Sequence, residues 1–234
     1  MRTLTISDPA LLGAASWAER VKADGALVAW PMQETSGTTL HDVSGNGRDA
    51  TLGGTVTVGA SGPTGATKAV AFGGGYGSIA YASWMNTPSL TVEVMFKTAG
   101  IAAQKWLVVR DGAGASNRPF VTSVASAGNC YGYGNNQTGP AKTTTATGLD
   151  DGNWHFFGWG VDSGGSGYHV VDGAVDNTYT GGGTITQPSA ININIGRNDL
   201  DGSNNWPGSL AFIAIFPTKL TPAQVLAHRL AIIG

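Results

Sequence analysis

AWPMQETSGTTLHDVSGNGRDATLGG, residues 29–54, is the stretch whose punctuation decides the fold. It closes an apolar, strand-like run, Ala26-Leu27-Val28-Ala29-Trp30. Pro31 then stops ladder pairing, because it has no N–H to donate. Glu34, Thr35, Ser36 and Gly37 spell one turn. Asp42, Ser44, Gly45, Asn46 and Gly47 spell a second, tighter one, from residues that tolerate positive φ or bond their own backbone.

Working outward, the pattern repeats. The chain has 234 residues, 36 of them glycine, and the glycines separate short Val-, Thr- and Phe-rich runs, which predicts a sandwich or barrel of many short strands. Strands are expected at 27–30, 50–52, 56–58, 69–72, 78–81, 90–97, 106–110, 120–125, 168–171, 176–179, 191–195 and 210–216. Leu90, Val92, Val94 and Phe96 alternate, as on one face of a pleat. Gly158 and Gly160 leave one face of their strand nearly bare, as where another layer approaches closely. Asp172-Gly173 is a hairpin turn. Asn129 to Gly139 is expected to be a polar–aromatic loop. Helices are expected over 8–24, capped by Asp8 with Pro9 at the first position, and after Thr221-Pro222, carrying Val225, Leu226, Leu230 and Ile233. The resulting division is a helical lead-in over 1–24, a sandwich over 25–220 and a closing helix over 221–234.

Composition narrows the function classes. A net charge of −2 leaves no basic footprint for nucleic acid. No stretch has the apolar length of a membrane span, and Met1 to Ile6 does not read as a signal peptide. Cys130 is the sole cysteine, so no intrachain disulfide forms, and it reads as a small packed residue.

Further motifs follow in a fixed order. They are Lys68–Gly74 (KAVAFGG), Ser89–Lys97 (SLTVEVMFK), Gly152–Phe156 (GNWHF), Val171–Gly173 (VDG), Ile195–Asn198 (IGRN), Trp206–Leu210 (WPGSL) and Leu220–Val225 (LTPAQV). With residues 29–54 they resemble, over roughly residues 25 to 226, the laminin-G-like domains of the concanavalin A-like lectin/glucanase group. The resemblance implies an all-β, two-sheet antiparallel sandwich, a jelly roll, with short helices at both ends. Trp30, Phe72, Val92, Val94, Phe96, Trp154, Ile195 and Ile215 are expected in its core. Ala15-Ser16-Trp17 through Ala23-Asp24-Gly25 is also similar to the lead-in of laminin-G-like modules in bacteriophage tail proteins.

Catalytic chemistry is sparse. Retaining glycosidases need two carboxyl groups about 5–5.5 Å apart. The three glutamates, Glu19, Glu34 and Glu93, are far apart in sequence, and the adjacent pair Asp150-Asp151 points to opposite faces of a strand. The four histidines have no i,i+4 pairing or cysteine companion, and His155 is expected to be buried and hydrogen-bonded. The chain is therefore expected not to be an enzyme and to need no cofactor. The resemblance does imply one calcium question. Asp42 and Asn46 match the turn that faces the group's Ca²⁺ site, but Ala211 stands where the group has an acid, so any calcium binding is expected to be weak.

Three functional readings remain, the last and most remote a glycoside hydrolase of the same group, against which the missing acid pair stands. The first is a bacteriophage virion structural protein, a minor tail or capsid decoration protein on the virion surface, made in the host cytoplasm. Its partners would be other virion proteins, further copies of itself and a host-surface glycan. The second is a carbohydrate-binding module, with Tyr131, Tyr133, Asn135, Asn136 and Gln137 as the glycan candidates. Strand 210–216 is apolar on both faces. Alternation puts Ala211, Ile213 and Ile215 on one, and Leu210, Phe212, Ala214 and Phe216 on the other. Such a strand must be covered twice. Terminal helices carrying Trp17 are expected to cover part of it and a partner the rest, making Phe212, Ala214, Phe216 and Trp17 interface candidates.

Overall fold

Alternating apolar runs punctuated by glycine and proline produce two stacked antiparallel sheets. They are seen in a computed structural model that describes residues 15–112, 118–134, 143–180, 185, 187, 190–198 and 204–234. The back sheet runs from Ala174–Tyr179 (β13) through Gly167–Val171 (β12), Asp151–Val161 (β11), Leu90–Ala99 (β7), Ser209–Phe216 (β15) and Lys68–Phe72 (β5) to Val56–Ser61 (β4), and Val28–Trp30 (β1) also pairs with β15. The front sheet runs from Cys130–Gly134 (β10) through Phe120–Val124 (β9), Lys105–Arg110 (β8), Ile193–Ile195 (β14), Tyr76–Ile79 (β6) and Ala50–Gly53 (β3) to Thr39–Leu40 (β2).

The main core lies between the sheets and includes Trp30, Phe72, Val92, Val94, Phe96, Phe157, Trp159, Ile195 and Ile215. Seven of the eight expected core residues are buried; Trp154 is half-buried and packs on a second cluster instead. Trp159 is fully enclosed, and its indole N–H donates to Thr122 Oγ1 at 2.9 Å, so its polar edge is satisfied inside the core.

The second cluster lies behind the back sheet, under two helices, Trp17–Ala23 (α1) and Pro222–Ile233 (α2). Both start with capping boxes, Ser16 with Glu19 and Thr221 with Gln224. The lead-in helix thus begins at Trp17; Asp8, Pro9, Leu11 and Leu12 lie outside the described residues. Gly158 is bare because α2 crosses it: a Cβ there would stand 2.6 Å from Val225 Cγ1.

Strand β15 departs from simple alternation. Its register against β7 shifts between Ala211 and Ala214, and Phe212 has φ +50°. This bulge puts Ala211 and Phe212 on the same outer side, with Ala214 and Phe216, while Leu210, Ile213 and Ile215 face the main core. The expected grouping of Leu210 with Phe212 is thereby corrected. Trp17, Phe212, Ala214 and Phe216 are all buried, and the Trp17 and Phe212 rings meet edge to face at 5.2 Å. The cover expected to be shared with a partner comes, among the described residues, from this chain's own helices.

Candidate functional site

Residues 130–134, CYGYG, form the edge strand β10 rather than part of a loop, as first expected. Alternation explains both the strand and its glycines. Gly132 faces inward, where a Cβ would fall within the Trp159 ring's van der Waals envelope, and Tyr131 and Tyr133 face outward. There they join Trp106 and Val109 of β8 and Val121 of β9 in a third apolar cluster, separate from the two cores.

Polar groups frame these rings. Asp111 is fully buried; Arg118 Nε donates to its Oδ1 at 2.8 Å and Asn198 Nδ2 to its Oδ2 at 3.0 Å. The Arg118 guanidinium also lies over the Trp106 ring, 5.9 Å from its centroid. Across the face, Arg197 stacks on Tyr76 at 3.2 Å. Midway sits Asn194, between Ser78 and Val109 in the ladder and with no exposed surface. Its amide makes no hydrogen bond, and neither does Trp106 Nε1 or Arg197 Nε. Trp106 and Tyr133 are buried and Tyr131 is half-buried, so Tyr131 is the ring of this cluster most open to solvent; a flat ring framed by polar groups suits a ligand that presents apolar faces and hydroxyl edges together.

Of the expected glycan residues, the structure brings Tyr131 and Tyr133 together; Asn135, Asn136 and Gln137 lie outside the described residues. Trp106, Asp111, Arg118, Asn194, Arg197 and Asn198 come to the same face from three separate stretches. No local motif joins them; the available signal was Trp106 heading a strand and the alternating Tyr-Gly-Tyr-Gly.

The Asp42–Asn46 turn does not fit calcium. Asp42 Oδ1 accepts from the Ala29 and Ser44 N–H groups, both at 2.9 Å, and Oδ2 from Ser44 Oγ at 2.7 Å and Arg48 N at 3.0 Å. Asn46 Nδ2 donates to the Ala26 and Leu27 carbonyls, each at 3.0 Å. The carboxylate's lone pairs hold the turn to β1, and a cation would have to displace those donors.

Two histidines are each held between two acids. His155 Nδ1 lies 2.6 Å from Asp172 Oδ2 and Nε2 lies 3.0 Å from Asp151 Oδ1; the Asp172 bond, helped by Asp151, raises its pKa against burial. His228 Nδ1 contacts Glu93 at 2.9 Å, and Nε2 contacts Asp24 at 2.9 Å. Among the described residues no group of three His, Cys, Asp or Glu side chains is arranged to hold a metal ion.

Residues 71–226 match a laminin-G family described as the concanavalin A-like lectin/glucanases superfamily. The chain belongs to that superfamily. No curated protein sequence matches it. Among solved structures, this concanavalin A-like domain is similar to Trypanosoma rangeli sialidase in complex with sialic acid (15% identity, TM-score 0.64, covering 90% of this chain and 34% of the sialidase). It is similar to the binding domain of Botulinum neurotoxin DC in complex with rat synaptotagmin II (12%, 0.63, 90% and 52%). It is also similar to domain 4 of AbnA, an extracellular GH43 arabinanase from Geobacillus stearothermophilus, in complex with arabinotriose (16%, 0.61, 87% and 98%). At these identities the likeness is one of fold. The chain spans about a third of the sialidase and about half of the toxin domain.

Proposed function

We propose that this domain is a non-catalytic carbohydrate-binding module holding a glycan on the outer face of the front sheet. The observation that carries this is the convergence of Trp106, Tyr131 and Tyr133 with unpaired polar atoms on one sheet face. Aromatic rings supply stacking area at small entropic cost, and the framing amides and guanidinium groups supply direction. The arabinotriose complex of a similar domain supports the same class of ligand. A binding role without catalysis is supported by Asp111, whose two carboxyl oxygens are already taken by Arg118 and Asn198. A glycan array on the purified chain tests the proposal. Retention of particular glycans, lost in Tyr131→Ala and Trp106→Ala, supports it; a blank array, or binding indifferent to both changes, overturns it.

A virion setting is a second proposal, favoured by the 15–25 lead-in that resembles those of phage tail modules. Its partners would be other virion proteins, and the glycan would belong to the host surface. Immunogold labelling of particles against this chain tests it, and unlabelled particles would sink it.

A further inference from the structure

We propose that α1 is a pH-gated latch: while His228 bonds both Glu93 and Asp24 the helix is held on the back sheet, and loss of the ring's second proton releases α1 and uncovers Phe212. The latch lies behind the back sheet and is independent of the glycan reading.

Three elements meet at one ring. Glu93 comes from β7, Asp24 ends α1, and His228 comes from the inner side of α2. Its Nδ1 lies 2.9 Å from Glu93 Oε1, and its Nε2 lies 2.9 Å from Asp24 Oδ2. Both nitrogens donate only when the imidazole carries two protons. A neutral ring has one N–H, so one of the two carboxylates must then face a lone pair.

Burial decides which carboxylate lets go. The Glu93 side chain has no exposed surface, and a buried carboxylate stripped of its donor is strongly destabilising. Asp24 keeps 29% of its side-chain surface in water. It also borders a groove of about 440 Å³ between the two helices, whose lining includes Gln224 and His228. Water in that groove can replace the ring as the donor to Asp24. The remaining proton of a neutral His228 therefore stays on Nδ1 with Glu93, and the link to α1 breaks.

Other groups around the ring do not take over its role. Among the described residues, Glu19 and Arg20 of α1 line the same groove, and Tyr168 of β12 lies near Glu93. Glu19 bonds the Ser16 N–H, Arg20 Nε donates to the Ala15 carbonyl, and the Tyr168 hydroxyl donates to the Leu220 carbonyl. From β15 the ring meets only Phe216, stacked at 5.5 Å. The second tie between the helices, from Gln224 Nε2 to Asp24 Oδ1, comes from an amide that does not titrate.

α1 depends on such ties. It has seven residues, too few to stay helical unaided, and its buried side chains are Trp17 and Val21. Burial lowers the pKa of His228, but the bonds to Glu93 and Asp24 outweigh it and leave it raised. Docking of α1 is thus fully supported below the ordinary histidine value, about 6.5, and loosens as pH climbs through the raised one. Trp17 leaves with the helix, and Phe212 loses the ring that covers it.

The test is amide hydrogen exchange on the full chain, read by mass spectrometry with the intrinsic rate divided out. The expected result is that protection of residues 20–26 falls at least about tenfold from pH 6 to pH 9, while α2 and β7 keep theirs. In D24N the new amide donates to the neutral ring's Nε2, so protection of residues 20–26 should stay level across that range. If D24N melts below the parent, the parent's comparison of α1 with α2 and β7 decides alone. Level protection of α1 in the parent, a loss shared equally by α2 and β7, or an unchanged pH profile in a stable D24N overturns the proposal.

Discussion

His228 Nδ1 lies 2.9 and 3.1 Å from the two carboxylate oxygens of Glu93, with both side chains closed off from water. The contact joins α2 to the centre of the back sheet, and Asp24, at the end of α1, completes it from the other side. Burial pushes the Glu93 carboxyl above its usual range, opposed by His228. Burial pulls His228 down, but its bonds to Glu93 and Asp24 outweigh that and leave it raised.

Both groups thus bind protons more readily folded than unfolded, so their stabilisation is present at low pH and fades as pH rises through the folded values. The expected outcome is a melting temperature that falls from about pH 6 to pH 8 more steeply in the parent than in Glu93→Gln/His228→Gln. Comparing the two cancels His155, whose raised pKa acts in the same direction, and His169, whose pKa burial lowers. His228→Ala alone leaves a buried, unpaired carboxylate and should cost about 3–5 kcal/mol. Parallel pH curves for parent and double variant would refute this account.

Phe212 and Trp17 hold α1 to the sheet edge to face. Phe212→Ala should lose about 3–5 kcal/mol in denaturant melts. Because the rings touch, Phe212→Ala/Trp17→Ala should lose less than the two single changes added together. Strict additivity, or a Phe212→Glu variant as stable as the parent, would show that the helix does not cover that face.

Asp42 should act as a staple of the turn and not as a metal ligand. Asp42→Ala strands four donors, with a cost of about 1–3 kcal/mol for each that stays buried and unmet. Calcium should neither raise the parent's melting temperature nor give heat on titration. A calcium-dependent melt that disappears in Asp42→Ala would restore the metal.

Gly132→Ala should harm binding without touching the binding face. Its new methyl would meet Trp159, so β10 must move, at about 1–3 kcal/mol, carrying Tyr131 and Tyr133 out of line. A variant with parental stability and parental glycan retention would show that the strand's position is immaterial.

The sandwich was legible because its signals are local. Turn residues at 34–37 and 42–47, alternation at 90–96 and the Asp172-Gly173 hairpin each name their own conformation, and Asp172 and Gly173 do take positive φ, +48° and +96°. What escaped depends on partners distant in sequence. β10 looked like a loop because glycine is scarce in strands, unless a tryptophan from the opposite sheet fills the space. The bulge at Phe212 puts a phenylalanine at positive φ, which no propensity suggests, with Trp17 packed against its ring. Asp42 carried the outline of a calcium ligand, and only in the folded chain are four donors already in place around it. The face as a whole was half visible: two tyrosines stood out, while Trp106, Asn194 and Arg197 gain meaning from the order in which the strands lie side by side.

Both helices pack behind the back sheet, and the aromatic face fronts the other sheet. The domain therefore has a polarity, with α1 and α2 at its rear and its candidate ligand surface forward. A fusion or surface tether attached beyond Ile233 leaves from the rear and presents the front sheet to solution. Immobilised through that end, the domain should capture ligand as well as it does when free. Anchored instead through a cysteine placed at exposed Thr51, on the front sheet, it should lose most of that capacity.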